Sequence, residues 1–381
     1  MSTRAPVYLD HNATTPLLPE VVDAMLPYLR EHFGNPSSGH AYGQRAREAL
    51  ERARGQVARL VGSNADEIIF TSGGTESNNL AIRGVAEARP EARSVVTTAI
   101  EHPATERPCA WLAAHGWGVT HVSVDETGRA RIDDARRALL PGTALLTLMH
   151  ANNETGVLQP VAALAAEARA RGALVHTDAA QSVGKVPVNV DALGVDLLSI
   201  AGHKLYAPKG VGALYVRRGT PIVPVLLGAA QERALRPGTE NVASIVGLGA
   251  ACEIAARTLE EERERVSALR DALWRQLQAG IPGLLLNGHE RERLPNTVNV
   301  RLPGARGDTV LGACPEVAAS TGSACHAGST SPSPVLTAMG LGEEEALGSL
   351  RLSLGRGTTS AAVEQAATAL IGAWRRVARL Q

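Results

Sequence analysis

The basic residues of this 381-residue chain are divided unevenly between two types. Only three of the 38 are lysine: Lys185, Lys204 and Lys209. Arginine keeps its proton at neutral pH, whereas a desolvated lysine can lose it and act as a nucleophile or form a Schiff base. Lys204 ends the motif Gly202-His203-Lys204, directly after the apolar run VDLLSI, and is the candidate for this chemistry. Lys185 and Lys209 stand beside turn residues and are predicted to be more solvated, with Lys209 the stronger rival.

Four further polar signatures also follow short apolar runs. They are Ser72-Gly73-Gly74-Thr75, Glu101-His102, Asn152-Asn153 and Asp178-Ala179-Ala180-Gln181. A glycine turn before a helix can bind phosphate, a histidine can move a proton, and an aspartate can pair with a protonated ring nitrogen. Each signature taken alone is explained as well, or better, by a turn, a helix cap or a structural histidine. Together with the lysine they fit the needs of pyridoxal phosphate.

The apolar runs that precede these residues alternate with helical patterns, which predicts α/β architecture with a mostly parallel sheet flanked by helices. The runs occupy residues 67–71, 94–99, 119–124, 144–149, 173–178, 195–200 and 211–216. Only about ten residues separate the last two runs, which is too few for a helical crossover. The run at 211–216 is therefore a candidate antiparallel strand. In such a sheet, ligands bind beyond the carboxyl ends of the strands, so the polar signatures are expected to converge.

The pattern of charged and apolar residues changes near residue 256. A long charged helix follows, then two strand-like segments around LPNTVNV and RLSLGRG, and finally another amphipathic helix. We predict a large cofactor-binding domain at 17–255 and a smaller α+β domain at 256–381. The N-terminal arm, residues 1–16, is expected to pack on the smaller domain.

Two other features of the second half could do chemistry. Cys325 stands in a charge-free segment rich in Ser, Gly and Pro, and such a thiol is expected to be exposed and reactive. A metal site at Cys325-His326 has no further ligand at suitable spacing. Arg351 could bind a substrate carboxylate, although spacing alone does not single it out among the arginines. The remaining cysteines, in Ala-rich surroundings, are predicted to be buried: Cys109, Cys252 and Cys314.

The composition argues against several classes of protein. Lys and Arg balance Asp and Glu at 38 each, which disfavours a polybasic nucleic-acid binder. The 44% of hydrophobic residues disfavours a disordered chain. Neither a membrane span nor an apolar signal segment is evident in the sequence, so a cytoplasmic location with no membrane or direct nucleic-acid partner is expected.

Motifs along nearly the whole chain, from about Tyr8 to Gly357, resemble those of the cysteine desulfurases of the class V aminotransferase group. They are YLDHNATTP, FGNPSS, FTSGGTESNNLAI, EH, MHANNETG, HTDAAQSVGK, GHKLYAPKGVGALYVRR, RPGTEN, LPNTVNV, GSAC and RLSLGR. The resemblance implies the two-domain PLP-transferase type I fold, a homodimer and pyridoxal 5'-phosphate as cofactor. It also implies the conversion of L-cysteine to L-alanine, with sulfur passed to acceptor or scaffold proteins of iron–sulfur assembly or tRNA thiolation.

The resemblance implies a role for each candidate residue. Lys204 would form the Schiff base and, once freed, move the substrate's α-proton; His102 would stack on the cofactor ring and assist proton transfer. Asp178 would hold the ring nitrogen protonated, and Gln181 would contact the ring hydroxyl. The phosphate ligands would be Gly74, Thr75 and His203, with Thr239 from the other subunit. The substrate ligands would be Arg351 and Asn35, with Asn153 touching cofactor or substrate. Cys325 would accept the sulfur as a persulfide.

The chain departs from the family pattern at three places. Ala201 stands where members commonly carry a phosphate-binding Ser, Gly228-Ala229-Ala230 replaces three glycines, and Pro237 stands where Ser is frequent. Several motifs are also similar to those of selenocysteine lyases. A selenocysteine lyase and a class V aminotransferase are therefore the alternative functions, and a weakly catalytic platform that binds the cofactor and partner proteins is a third.

Overall fold

The computed structural model of the chain describes residues 5–322 and 331–379. Within these residues the α-helices are α1 Pro19–Arg30, α2 Ala41–Val61, α3 Gly74–Ala88, α4 Pro103–Ala114, α5 Ile132–Ala138, α6 Val161–Arg169, α7 Val190–Leu193, α8 Val242–Gly280, α9 Gly307–Gly312, α10 Pro334–Ala338, α11 Glu343–Leu347 and α12 Ser360–Ala378. The strands are β1 Val7–Tyr8, β2 Ile68–Thr71, β3 Ser94–Thr98, β4 Gly118–Val122, β5 Thr143–Met149, β6 Leu174–Asp178, β7 Leu197–Ala201, β8 Gly212–Val216, β9 Leu285–Asn287, β10 Thr297–Arg301, β11 Val317–Ala318 and β12 Ser349–Ser353. Three 3-10 turns are Ala65–Glu67, Gly202–Lys204 and Gln231–Ala234.

The seven predicted strands form one sheet in the order β2-β8-β7-β6-β5-β3-β4. β8 is antiparallel to both of its neighbours, and the other pairings are parallel. The predicted α/β class and the predicted antiparallel strand at 211–216 are thus confirmed. The short connection explains the reversal, because a parallel return needs a crossover of a dozen or more residues.

Both faces of this sheet are covered by helices. Consecutive residues of a strand point to opposite faces. Accordingly Leu146 and Leu148 pack in the core beneath α2, α6 and α8, whereas Leu145 packs in the core beneath α3 and α4. All seven residues of β5 are buried, as expected for a central parallel strand.

A second core lies around the antiparallel sheet β12-β10-β9. The arm residue Leu9 belongs to this core, and β1 pairs with β11 next to it. Past Leu9 the arm turns toward the large sheet, where Thr15 contacts His203. The arm therefore touches elements on both sides of the predicted domain boundary.

Helix α8 connects the two cores. Its 39 residues begin well before the predicted boundary at 256; Leu248 and Ala255 pack in the first core and Leu273 and Leu277 in the second. In the described part of the chain it is also the one helix long and apolar enough to cross a membrane. Because its apolar residues are divided between two cores, we interpret it as a core helix. The division into domains stays a prediction.

Candidate active site

Six strands of the large sheet end at the same edge, and five of them carry polar signatures at or just after their ends. β3, β5, β6 and β7 are parallel, and β2 runs the same way because β8 is antiparallel to both β2 and β7. The residues that follow these strands are 72–75, 101–102, 152–153, 178–181 and 203–204. The topology thus brings together side chains that are far apart in the sequence.

The turn between β2 and α3 forms an open cradle. Gly73 has a φ of +148°, which other residues rarely adopt, and it caps the 15-residue helix α3. A Cβ placed on Gly74 would lie 3.3 Å from the Cβ of Ala201, so glycine leaves space between this turn and the end of β7. Thr75 is exposed in the first turn. The free N–H groups and the dipole of α3 make this cradle suitable for a phosphate.

Asp178 ends β6 with its carboxylate held by two donors. The N–H of Ala180 donates to Oδ1 at 2.9 Å, and Asn78 Nδ2 donates to Oδ2 at 2.8 Å. Asn78 also donates to Thr105, and both of these side chains are fully buried. Asp178 itself is 8% exposed, so its carboxylate is oriented by the protein while part of it remains accessible to a ligand.

His102 is the N-cap of α4, with Pro103 at the first helical position. Its Nδ1 accepts the N–H of Ala104 at 3.1 Å, which leaves the proton of the neutral ring on Nε2. Burial first, and then the positive charge of Lys204, lower the pKa of His102, while Asp178 opposes the shift. The same electrostatic couplings place Lys204 and Asp178 near this ring. A neutral imidazole that can donate from Nε2 is suited to proton transfer.

Lys204 lies in the 3-10 turn directly after β7, and the N-terminal arm holds that turn. Thr15 donates its N–H and its hydroxyl to the carbonyl of His203, and its hydroxyl accepts the N–H of Tyr206. His203 Nδ1 lies 3.2 Å from Thr14 Oγ1. Burial, followed by the charge of Lys204, lowers the pKa of His203 to about 4, so its ring is neutral.

Arg351 is only 2% exposed and makes an ion pair with the arm. One guanidinium nitrogen lies 2.6 Å from Asp10 Oδ1, and another donates to the backbone carbonyl of Asn153 at 3.2 Å. Its Nε has no hydrogen-bond partner in the described residues. The backbone of Arg351 also pairs with Ser320, close to the segment that contains Cys325. Sequence reasoning missed Asp10, since no charge pattern indicates an ion pair over such a separation.

Lys185 is half-buried, like Lys204, so the prediction that it is the more solvated of the two is wrong. Its Nζ donates to Gln181 Oε1 at 3.0 Å and to Asn12 Oδ1 at 3.3 Å. The turn before it packs inward: Gly184 lies so close to Leu205 that a Cβ there would overlap it. The glycine turn before Lys185 predicts a surface position, but the arm and the turn after β7 cover it. Lys209 is exposed, as predicted.

Glu101 is another buried group whose role the sequence did not indicate. Its Oε1 accepts the N–H of Met149 at 3.0 Å and the hydroxyl of Thr98, while Oε2 has no partner in the described part of the chain. Burial raises the pKa of Glu101 to about 8. Its carboxyl is thus mostly protonated at neutral pH and connects the ends of β3 and β5 as a neutral group.

Two predicted ligands lie on exposed loops. Asn35 accepts the N–H of Ser37 in the loop between α1 and α2, and Thr239 lies between β8 and α8. Residues close to each of them, Pro36 and Glu240, line one cavity of about 1010 Å³. The described contacts do not join Asn35 or Thr239 to Lys204. Cys325 lies outside the described residues.

The chain was compared with known proteins. Residues 7–366 match the family model for aminotransferase class-V. This chain belongs to that family. A relative from Dictyoglomus turgidum named cysteine desulfurase IscS is 48% identical over 93% of this chain and 90% of its own length. A solved NifS-like protein has a TM-score of 0.91 and 36% identity over 96% of this chain and 98% of the other. A structure of SspA in complex with cysteine has a TM-score of 0.82 and 37% identity over 91% of this chain and 98% of the other.

The predicted membership of the cysteine desulfurases is confirmed by these relatives. They favour the function of a cysteine desulfurase over that of a selenocysteine lyase or of an aminotransferase with another substrate. Membership of the class V aminotransferases implies pyridoxal phosphate as cofactor. The residues at the sheet edge suit it chemically: a helix N-terminus with space at Gly74 for a phosphate, an oriented carboxylate at Asp178 for a ring nitrogen, and an amine at Lys204.

Ala201 offers a test of the phosphate cradle. Ala201→Ser should tighten the binding of pyridoxal phosphate to the apoprotein by about 2- to 10-fold, because one added hydrogen bond contributes about 0.5–1.5 kcal/mol. Fluorescence titration of the apoprotein measures the dissociation constant. Ala201→Gly is the control, since it changes the space without adding a hydroxyl. Equal tightening by both variants, or by neither, would contradict a phosphate contact at this position.

Proposed function

We propose that this cysteine desulfurase uses pyridoxal 5'-phosphate to convert L-cysteine to L-alanine, and that the sulfur passes to Cys325 as a persulfide and then to acceptor proteins. One observation carries the proposal: Lys204, His102 and Asp178 are grouped at one sheet edge. The match to a relative named cysteine desulfurase and the likeness to SspA in complex with cysteine support the choice of substrate.

The residues of the sheet edge would hold the cofactor. Pyridoxal phosphate, when bound, withdraws electrons from the bonds around the α-carbon of an amino acid. Gly74, Thr75 and His203 would bind its phosphate, together with Thr239 of a second subunit. Asp178 would accept a hydrogen bond from the protonated ring nitrogen, and Gln181 would donate one to the ring hydroxyl. His102 would cover the ring, and its neutral imidazole can exchange a proton at Nε2.

Lys204 has two tasks in this proposal. Its amine would hold the cofactor covalently before substrate arrives, and once displaced its Nζ would take the α-proton of cysteine and return a proton to the product. The arm keeps the turn that carries Lys204 in place, because the hydroxyl of Thr15 joins His203 to Tyr206. A fixed turn places the amine without reorganisation during the reaction.

Arg351 would bind the carboxylate of cysteine, with help from Asn153 and Asn35. Asp10 and the carbonyl of Asn153 already accept two of its N–H groups and orient the guanidinium. The unpartnered Nε shows that its donors are not all used by the described residues. A buried, oriented guanidinium suits a planar carboxylate.

The sulfur transfer balances without another reactant. The thiolate of Cys325 attacks the sulfur of the bound cysteine, the C–S bond breaks, and its electron pair remains with the carbon that becomes the methyl group of alanine. One cysteine and one enzyme thiol thus yield one alanine and one enzyme persulfide. Burial raises the pKa of the other thiols, to about 12 for Cys109 and to about 11 for Cys314, which disfavours them as nucleophiles.

We also propose a homodimer in the cytoplasm. Exposed apolar side chains near the cavity between the two loops suit a contact with a second copy: Phe33 is 77% exposed and Leu227 is 89% exposed. Such a contact would bring Thr239 of one copy toward the site of the other. The cytoplasmic location follows from the sequence expectations given above.

Mass spectrometry of the intact protein after brief exposure to L-cysteine tests the function. We expect the mass of one added sulfur, removable by a thiol reductant and confined to the peptide that contains Cys325, together with an equal amount of alanine. Incubation with L-alanine is the control and should add nothing. Alanine formed without added sulfur on the protein, or formed only when a 2-oxo acid is supplied, would contradict the proposal.

A further inference from the structure

A second lysine lies inside the proposed site and has no role in the steps above. Lys185 Nζ donates to Gln181 Oε1 and to Asn12 Oδ1, at 3.0 and 3.3 Å. Within residues 5–322 and 331–379 it has no ion pair with a carboxylate, and the charges that act on it are both positive: Lys204 and Arg351. Lys185 is half-buried, and desolvating an amine that has no counter-ion is costly, so the residue calls for an explanation beyond packing.

The contacts of Gln181 with Lys185 and with Asn12 together decide how its amide is oriented. An amine N–H donates, so the atom it contacts must be the amide oxygen. At the other end, the backbone carbonyl of Asn12 can only accept, so the atom 3.0 Å from it must be the amide nitrogen. The amide nitrogen carries two hydrogens, and the described residues provide an acceptor for only one. Gln181 is thus left with one N–H available to a ligand, while its oxygen accepts from Lys185.

Asn12 is the second hydrogen-bond partner of Lys185, and it is itself held in place. It is 2% exposed, and its Nδ2 donates to the carbonyl of Asn153 and to Thr297 Oγ1, at 3.2 and 2.9 Å. Its Oδ1 accepts from Asn296 at 3.0 Å as well as from Lys185. Since Asn12 is held by both of its amide atoms, it gives Lys185 a rigid second contact.

We infer that Lys185 is a positioning residue: by donating to the oxygen of Gln181 it keeps the remaining N–H of the amide available to an oxygen of the bound cofactor. The inference rests on the proposed cofactor chemistry. Without the amine, Oε1 of Gln181 loses its donor, and only the contact of Nε2 with the carbonyl of Asn12 opposes rotation of the amide. A rotated amide would present an acceptor to the ring oxygen, which repels a phenolate.

The electrostatics of the region agree with this role. Burial, followed by the charges of Lys204 and Arg351, lowers the pKa of Lys185 to about 7. Its charge in turn lowers the pKa of His11 on the arm and of His203 on the turn after β7. An amine donates a hydrogen bond in either protonation state, so the orientation of Gln181 does not depend on the charge of Lys185.

A pH titration of the visible absorbance of the bound cofactor tests the inference. Lys185→Met should raise the midpoint by at least about half a pH unit, because the ring oxygen then loses the N–H of an oriented Gln181 and its protonated form is favoured. The same substitution in a Gln181→Ala background should then produce less than half of that shift. Lys209→Met, which alters an exposed lysine, is the matched control and should leave the midpoint unchanged.

The outcomes separate this inference from the proposed function. An unmoved midpoint in Lys185→Met, or a shift at least half as large in the Gln181→Ala background, overturns the positioning role alone. A wild-type protein that shows no visible band when loaded with pyridoxal phosphate overturns the proposed function and the inference with it.

A second measurement does not require the Lys185→Met protein to fold. Lysine labelled with ¹³C at the ε-carbon should give three signals in this chain, and that of Lys185 can be assigned by elimination with Lys204 and Lys209 variants. Gln181→Ala should shift the Lys185 signal and leave the Lys209 signal in place. If the Lys185 signal does not move, the contact with Gln181 is not formed and the inference is wrong.

Discussion

Lys204→Ala should abolish the visible absorbance of the bound cofactor and reduce alanine formation from cysteine by about 10³-fold or more. The variant removes both the amine that holds the cofactor covalently and the base that takes the α-proton. Lys204 lies in a turn at the sheet edge with His102 and Asp178 close to it. Absorption spectra and an alanine assay of the purified protein measure the two effects.

Lys209→Ala is the matched control for this experiment. Lys209 is exposed and only five residues further along, so its loss should leave the spectrum and the rate close to wild type. If Lys204→Ala kept a wild-type spectrum, the covalent attachment would have to be at another amine. Lys185, the half-buried lysine of the same site, would then be the first to test.

Cys325→Ala should have a large effect on sulfur transfer but none on the cofactor. The visible band should persist, because the proposed cofactor ligands are Lys204, Asp178 and their neighbours, whereas persulfide and sulfide formation from cysteine should fall by about 10²-fold or more. A sulfide assay in the presence of a thiol reductant, with a spectrum of the same sample, gives both quantities.

Cys314→Ala provides the comparison for this variant. Cys314 is fully buried in the second core, so its loss should cost stability but not remove sulfur transfer. Sulfide release from Cys325→Ala at the wild-type rate would show that the thiol at position 325 is not the acceptor. Release lost in Cys314→Ala and retained in Cys325→Ala would assign that role to the buried cysteine.

Much of the fold could be predicted from local patterns. The seven strands of the large sheet lie within one or two residues of the apolar runs that predicted them, and the short connection before β8 predicted its direction. These features depend on residues that are near one another in the sequence. The long helix was harder: α8 begins 14 residues before the predicted boundary, because its first turns are apolar and resemble the core of the large domain.

The candidate site was predictable only where its residues directly follow strands. Lys204, Asp178 and His102 were found because the end of a parallel strand is a defined place in the fold. Asp10 and Asn12 were missed, although their motif was noted. Both act through contacts to residues more than 140 positions away: Arg351 for Asp10 and Asn153 for Asn12.

The sequence by itself determined the α/β class, the polar residues that follow the strands, and the family, because these depend on periodicity and short motifs. Only the tertiary structure decided that Lys185 is half-buried, that Arg351 is paired with Asp10, and that the arm contacts both sides of the predicted domain boundary. The physical reason is that solvation is a property of the folded chain: a lysine after a glycine turn is exposed or buried according to which distant segment covers it.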